Sequence, residues 1–297
     1  MGKRIFLFLI TNLLVVITLT IVLGLLGLGQ YRFIGGGYDL TGLAFFALVW
    51  GMGGAFISLQ MSRFIAKQAT GVQLVGGSTG TPDADWLYHT VARLTQNANL
   101  PMPEVGIYPS EEVNAFATGP SKSRSLVAVS SGLLRSMRRE EVEGVLAHEV
   151  AHIANGDMVT MTLLQGVINA FVIFFSRVIA YVIANRGGSR DDSRGNSYMF
   201  QYLITIVLQI VLGILGSIVT AWFSRQREFR ADRGGASLAG RERMLAALRR
   251  LQANQELVDG RHQALATLKI NGARNWLMLF STHPPLAVRI AALERAA

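Results

Sequence analysis

Four long apolar runs, at 5–29, 40–61, 158–184 and 198–224, alternate with stretches of mixed polar and apolar residues. Each is long enough for a bilayer span, which takes about 20 residues. The first is free of charge and follows Lys3 and Arg4. A cleaved signal peptide would have an apolar core of only about 7–15 residues and then a small-residue cleavage site, so the run is read as a retained span. The second is rich in glycine, which permits close helix packing. The third holds Gln165, Asn169 and Arg177. Arg177 either faces a polar interior or, the reading preferred here, snorkels to the headgroups from near a span end. Between the runs the spacing predicts soluble elements. A helix covers 83–97, with Leu87, Val91 and Leu94 inward, and short strands cover 104–108 and 125–130, with residues 113–118 between them. Next comes a helix with Val142, Val145, Leu146, Val150 and Ile153 on its apolar face, Ser136 as a possible N-cap and Asn155-Gly156 as its stop. Helices at 225–239, 241–252 and 286–295 follow the last run. The fold class is mainly α with a small β-sheet (α+β): four transmembrane helices plus a soluble domain. The expected divisions are a hairpin of spans at 1–62, a soluble part at 63–157, a second hairpin at 158–224 and a helical part at 225–297.

Composition agrees with that layout. Only 16% of the 297 residues are charged and mean hydropathy is +0.35, against about 25% charged for a soluble domain. There is no cysteine, which excludes disulfides, thiolate metal sites and a cysteine nucleophile. The net charge is +9, and it is concentrated in residues 225–297, which carry 13 basic and 6 acidic side chains. Beside membrane spans such a face lies against anionic headgroups, and no basic-aromatic motif indicates nucleic acid. Lys3 and Arg4 before the first span, Arg63 and Lys67 after the second, and Arg225, Arg227 and Arg230 after the fourth place both termini and the soluble parts on the cytoplasmic side.

The chemistry centres on His148-Glu149-Val150-Ala151-His152. On a helix, residues four apart leave the same face one turn apart, so both imidazoles can bind one zinc ion. Glu149, one step round, can reach a water on the metal and act as its general base, the logic of H-E-x-x-H. A catalytic zinc needs a third protein ligand and an open position. The candidates are His89, His262, His283 and the acids outside this helix. Glu228 and Asp232, one helical turn apart, fit a ligand and a carboxylate orienting a ligating histidine. They fit equally well an acidic pair on a surface helix among arginines.

Together, His148–His152, Glu228 with Asp232, Asn114-Ala115-Phe116-Ala117-Thr118-Gly119, and His283-Pro284-Pro285 with Arg289 resemble the HtpX family of membrane metalloproteases. The four-span layout and the length match as well. The resemblance implies a zincin-like protease domain with one zinc ion per chain. His148, His152 and Glu228 would be its ligands, Glu149 the catalytic base and Asp232 the partner of a ligating histidine. Asn114, Ala115 and Phe116 would lie on a strand beside the cleft, where an extended substrate adds as a further strand. His283 and Arg289 would stabilise the oxyanion or support the site. The implied setting is the bacterial inner membrane, with unfolded or membrane proteins as substrates, in quality control under stress. A related prenyl-protein (CAAX-type) protease has about seven spans, more than this chain offers. A scaffold with a structural zinc would be closed by four ligands, often thiolates, and does not account for Glu149.

Overall fold

Leu126-Val127-Ala128-Val129 is an unbroken apolar run in which every side chain is fully buried, the pattern of a strand covered on both faces. It sits at the inside of a four-stranded mixed sheet in the computed structural model, which describes residues 40–187, 194–261 and 278–296. The elements are α1 (Leu40–Thr70), β1 (Gln73–Leu74), α2 (Pro82–Asn97), β2 (Glu104–Tyr108), β3 (Ala115–Ser121), β4 (Arg124–Ser130), α3 (Ser131–Ser136), α4 (Arg139–Asn155), α5 (Asp157–Gly187), α6 (Arg194–Ala239), α7 (Arg241–Arg261), a 3₁₀ turn at Met278–Phe280 and α8 (Leu286–Arg295). The strand order is β1-β2-β4-β3, with β2 parallel to β4 and both outer pairs antiparallel. β3 is therefore an edge strand among the described residues. The segment between the two predicted strands is thus itself a strand, paired as Ala115 with Val129 and Ala117 with Val127.

The chain divides into two units, Met1–Ile57 with Thr162–Thr220, and Ser58–Met161 with Ala221–Ala297. In the first, Leu40, Leu43, Ala44 and Ala47 pack on Phe174 and Val178. The Arg177 guanidinium donates to the Ile173 carbonyl at 3.1 Å and lies 5.5 Å over the Phe46 ring. Among the described residues three helices are long and apolar enough to cross a membrane, at Leu40–Thr70, Asp157–Ala184 and Met199–Ala239. The predicted span at 5–29 lies outside the described residues.

The second unit is built on α4. Its apolar residues Val142, Leu146, Val150 and Ile153 share a core with Leu87, Val91 and Leu94 of α2 and with Val127 and Val129 of β4. Ser136 is not its cap. That residue ends α3, and α4 starts after Arg138, whose backbone N–H donates to Glu141 at 2.7 Å. The Glu141 carboxylate also takes the Arg138 guanidinium at 3.1 Å. An acid three residues into a helix satisfies a donor that the helix itself leaves unpaired. Met244, Leu245 and Leu248 of α7 meet Ile290 and Leu293 of α8, and Arg249 pairs with Glu294 at 2.7 Å.

Candidate metal centre and catalytic cleft

Helix α4 carries His148 and His152 on one face and ends at Gly156, whose φ of 68° is in the left-handed region. That turn stops the helix and starts α5 at the next residue, which aims the Asp157 carboxylate back at His152. The Asp157 Oδ2 to His152 Nδ1 distance is 2.7 Å. On the other ring, His148 Nδ1 lies 3.0 Å from Asp232 Oδ1. With both Nδ1 atoms held by carboxylates, the two Nε2 atoms face each other at 3.1 Å.

Glu228 completes the convergence from α6. It is fully buried, and its oxygens lie 3.4 Å from His148 Nε2 and 3.5 Å from His152 Nε2. Neither oxygen has a hydrogen bond of good geometry among the described residues. His148, His152 and Glu228 are the described group able to hold a metal ion, with ligand atoms within 4.8 Å of one another. Three donors on one tetrahedral zinc at about 2.0–2.1 Å stand roughly 3.3 Å apart. The separations observed between these nitrogens and oxygens fit that ion. Two neutral imidazoles and a carboxylate, with no thiolate, are also the donor chemistry of catalytic rather than structural zinc.

Burial works against charge on the His152 ring, but the Asp157 and Glu228 carboxylates outweigh it and lift the imidazole to about 9. His148 is raised too, burial there being opposed by Asp232 and Glu228. A cation entering between these rings therefore displaces protons.

The approach of α6 to α4 depends on Gly235. A Cβ there would stand 3.1 Å from the backbone nitrogen of His148 and 3.3 Å from its Cα. Glu228, Asp232 and Gly235 follow one another at one-turn intervals, so one stripe of α6 supplies two carboxylates and the bare surface that lets them reach the rings. Gly235→Val is expected to push α6 off α4 and weaken metal binding at this group by tenfold or more. Metal content of the purified variant, by mass spectrometry after dialysis, checks this, and full occupancy would show that the contact does not set the site.

Arg289 of α8 is buried and donates twice to Asp232, Nε to Oδ2 at 2.8 Å and Nη2 to Oδ1 at 2.6 Å. Its Nη1 lies 3.3 Å from Glu228. His283 approaches from the exposed side, its Nδ1 3.0 Å from Glu228 Oε2. Glu149 is half-buried and lines a cavity of about 150 Å³ with His148, Glu228, His283, Asn114 and Ala115. Phe116 points the other way, its ring 5.6 Å from that of Tyr108 in a cluster with Leu126 and Ala128, because neighbours on a strand face opposite sides. Two other histidines were candidate ligands. His89 is exposed and 3.1 Å from the Gly77 carbonyl, and His262 lies outside the described residues.

Asp157 and Gly235 were not singled out by spacing. A carboxylate directly after the Gly that stops a histidine-bearing helix would have flagged the first, and the one-turn repeat Glu228, Asp232, Gly235 the second.

The description "Peptidase family M48" matches residues 82–297. The chain is 52% identical to the Protease HtpX homolog of Bacillus licheniformis, over 99% of both chains. It is 52% identical to Protease HtpX of Aeromonas hydrophila, over 98% of this chain and 99% of that one. The crystal structure of S. mikatae Ste24p overlays with a TM-score of 0.60 at 18% identity, covering 84% of this chain and 58% of that chain. That likeness extends to the fold.

Proposed function

The chain belongs to peptidase family M48 as a metalloprotease of the HtpX group, and on that footing we propose that His148, His152 and Glu228 bind one zinc ion and that Glu149 is the general base of peptide hydrolysis. The observation that carries the reading is the convergence of two Nε2 atoms and a buried carboxylate beside Glu149 in one cavity. Zinc, when bound, polarises the scissile carbonyl and lowers the pKa of water. Glu149 takes the proton of the attacking water and passes it to the leaving amine. Asp232 and Asp157 accept from the Nδ1–H groups of His148 and His152 and so hold each Nε2 lone pair toward the ligand position. Arg289 fixes Asp232, and His283 stands at the mouth of the cavity, within reach of a developing oxyanion. The edge of β3, unpaired among the described residues, offers backbone donors and acceptors to an extended peptide, and a scissile bond held there would lie near Ala115 and Glu149.

The substrates are unfolded or membrane proteins and the role is quality control at the bacterial inner membrane. Three membrane-length helices among the described residues of a peptidase chain and the family resemblance support this. The arginine-rich segments after the spans favour a cytoplasmic active site, with both termini on that side.

Full-length protein purified in detergent and loaded with zinc is expected to cleave an unfolded protein such as reduced casein. A chelator should stop the cleavage and added zinc restore it. Cleavage unaffected by chelation overturns the zinc assignment, and no cleavage under any loading overturns the peptidase reading.

A further inference from the structure

Between the 3₁₀ turn and α8 the chain passes through a loop at 281–285, and this loop delivers His283 to Glu228. The histidine is exposed, and a cavity of about 670 Å³ lined by Arg225, Ser281, His283, Pro284 and Arg289 opens beside it. Packing therefore does little to hold the loop, and its position depends on hydrogen bonds. Arg225 supplies two of them. Its Nη1 donates to the Leu279 carbonyl at 3.2 Å and to the Ser281 carbonyl at 2.8 Å. Bonds from a charged donor are roughly twice as strong as neutral ones. Inside the loop the Ser281 hydroxyl donates to the His283 carbonyl at 2.7 Å, which carries the restraint on to the histidine. Arg225 stands about one helical turn before Glu228 on α6. The turn that presents the buried carboxylate thus also grips the loop that sets the imidazole against it.

We infer that Arg225 is a positioning residue for peptide hydrolysis: by holding the backbone at 279–281 it keeps His283 where the ring can meet a developing oxyanion. The inference rests on the role proposed above for His283 and names what holds that residue in place. Arg225 belongs neither to the ligand trio nor to the lining of the cavity that holds Glu149, so its effect passes through the loop. A contact to the oxyanion is made in the transition state and not with bound substrate, so a misplaced ring lowers kcat and leaves KM. The same arginine follows a membrane-length apolar run, where any cation would serve beside the headgroups. Geometry separates the two roles, because a planar guanidinium fork holds a fixed backbone and a flexible ammonium does not.

The test is a double-mutant cycle on the full-length, zinc-loaded protein in detergent, with metal content measured and kcat and KM determined on labelled, reduced casein. Arg225→Ala is expected to keep its zinc, leave KM within about threefold and lower kcat about 10- to 100-fold. In a His283→Ala background the same change should cost less than about twofold, because the group it positions is gone. Arg225→Lys keeps the charge and loses the fork, so its kcat should fall several-fold. If Arg225→Ala does not fold, the lysine variant in the two backgrounds reads the same coupling. Parity of Arg225→Lys with wild type overturns the inference, as does an equal loss from Arg225→Ala with and without His283. Loss of zinc from both Arg225 variants also overturns it and moves the residue's role to the metal site. Wild-type kcat in His283→Ala removes the role of His283 and the inference with it. The absence of any cleavage by the wild-type protein overturns instead the peptidase reading beneath both.

Discussion

Glu149→Gln is expected to keep its zinc and lose about 10²–10⁴-fold in kcat/KM on an unfolded protein, the usual worth of a positioned general base. Glutamine has the same shape, so the half-buried position keeps its packing. What it loses is the ability to take a proton from water. Glu149 belongs to the lining of the cavity but not to the convergent trio of ligand atoms, so the metal should remain. Metal analysis and steady-state kinetics on the same preparation separate the outcomes. Normal turnover removes Glu149 as the base, and lost zinc makes it a ligand.

Glu228→Ala is expected to do the opposite, emptying the site before any chemistry is attempted. The wild-type carboxylate is fully buried with His148, His152, His283 and Arg289 around it. Its removal takes away one of the three proposed ligands and the carboxylate that stands against both imidazoles and the Arg289 guanidinium. Removing an outer partner of a ligating histidine typically costs about 10–100-fold in metal affinity. Asp232→Asn should fall in that range, and Glu228→Ala should exceed it. Competition against a chelator of known affinity ranks the two. Equal affinity of Glu228→Ala and wild type would place the third ligand elsewhere.

The parts legible from sequence are those with short-range causes. The body of α4 and its end follow from local spacing and from Gly156, which takes a backbone conformation other residues avoid. The start of α4 was less legible. Ser136 is the better capping residue by type, yet the Arg138–Glu141 contact fixes the boundary two residues later. Strand β3 was the hardest element to read. Its residues, Ala115–Ser121, contain glycine and proline, and it is a strand because β4 supplies its hydrogen-bond partners. The role of Gly235 depends on what a side chain would meet on another helix, and no local pattern encodes that distance.

The order in which the site is assembled has a consequence for biogenesis. His148, His152 and Asp157 lie within one short stretch, while Arg289 is 141 residues beyond His148. Chains emerge from the ribosome N-terminal end first. Helix α4 is therefore made long before Asp232, and Asp232 before the arginine that grips it. A nascent chain bearing the histidines has no complete centre, and the closing of loops this long is slow compared with helix formation. The centre therefore closes only when α4, α6 and α8, far apart in sequence, have met, so its geometry reports on the folding of the whole second unit.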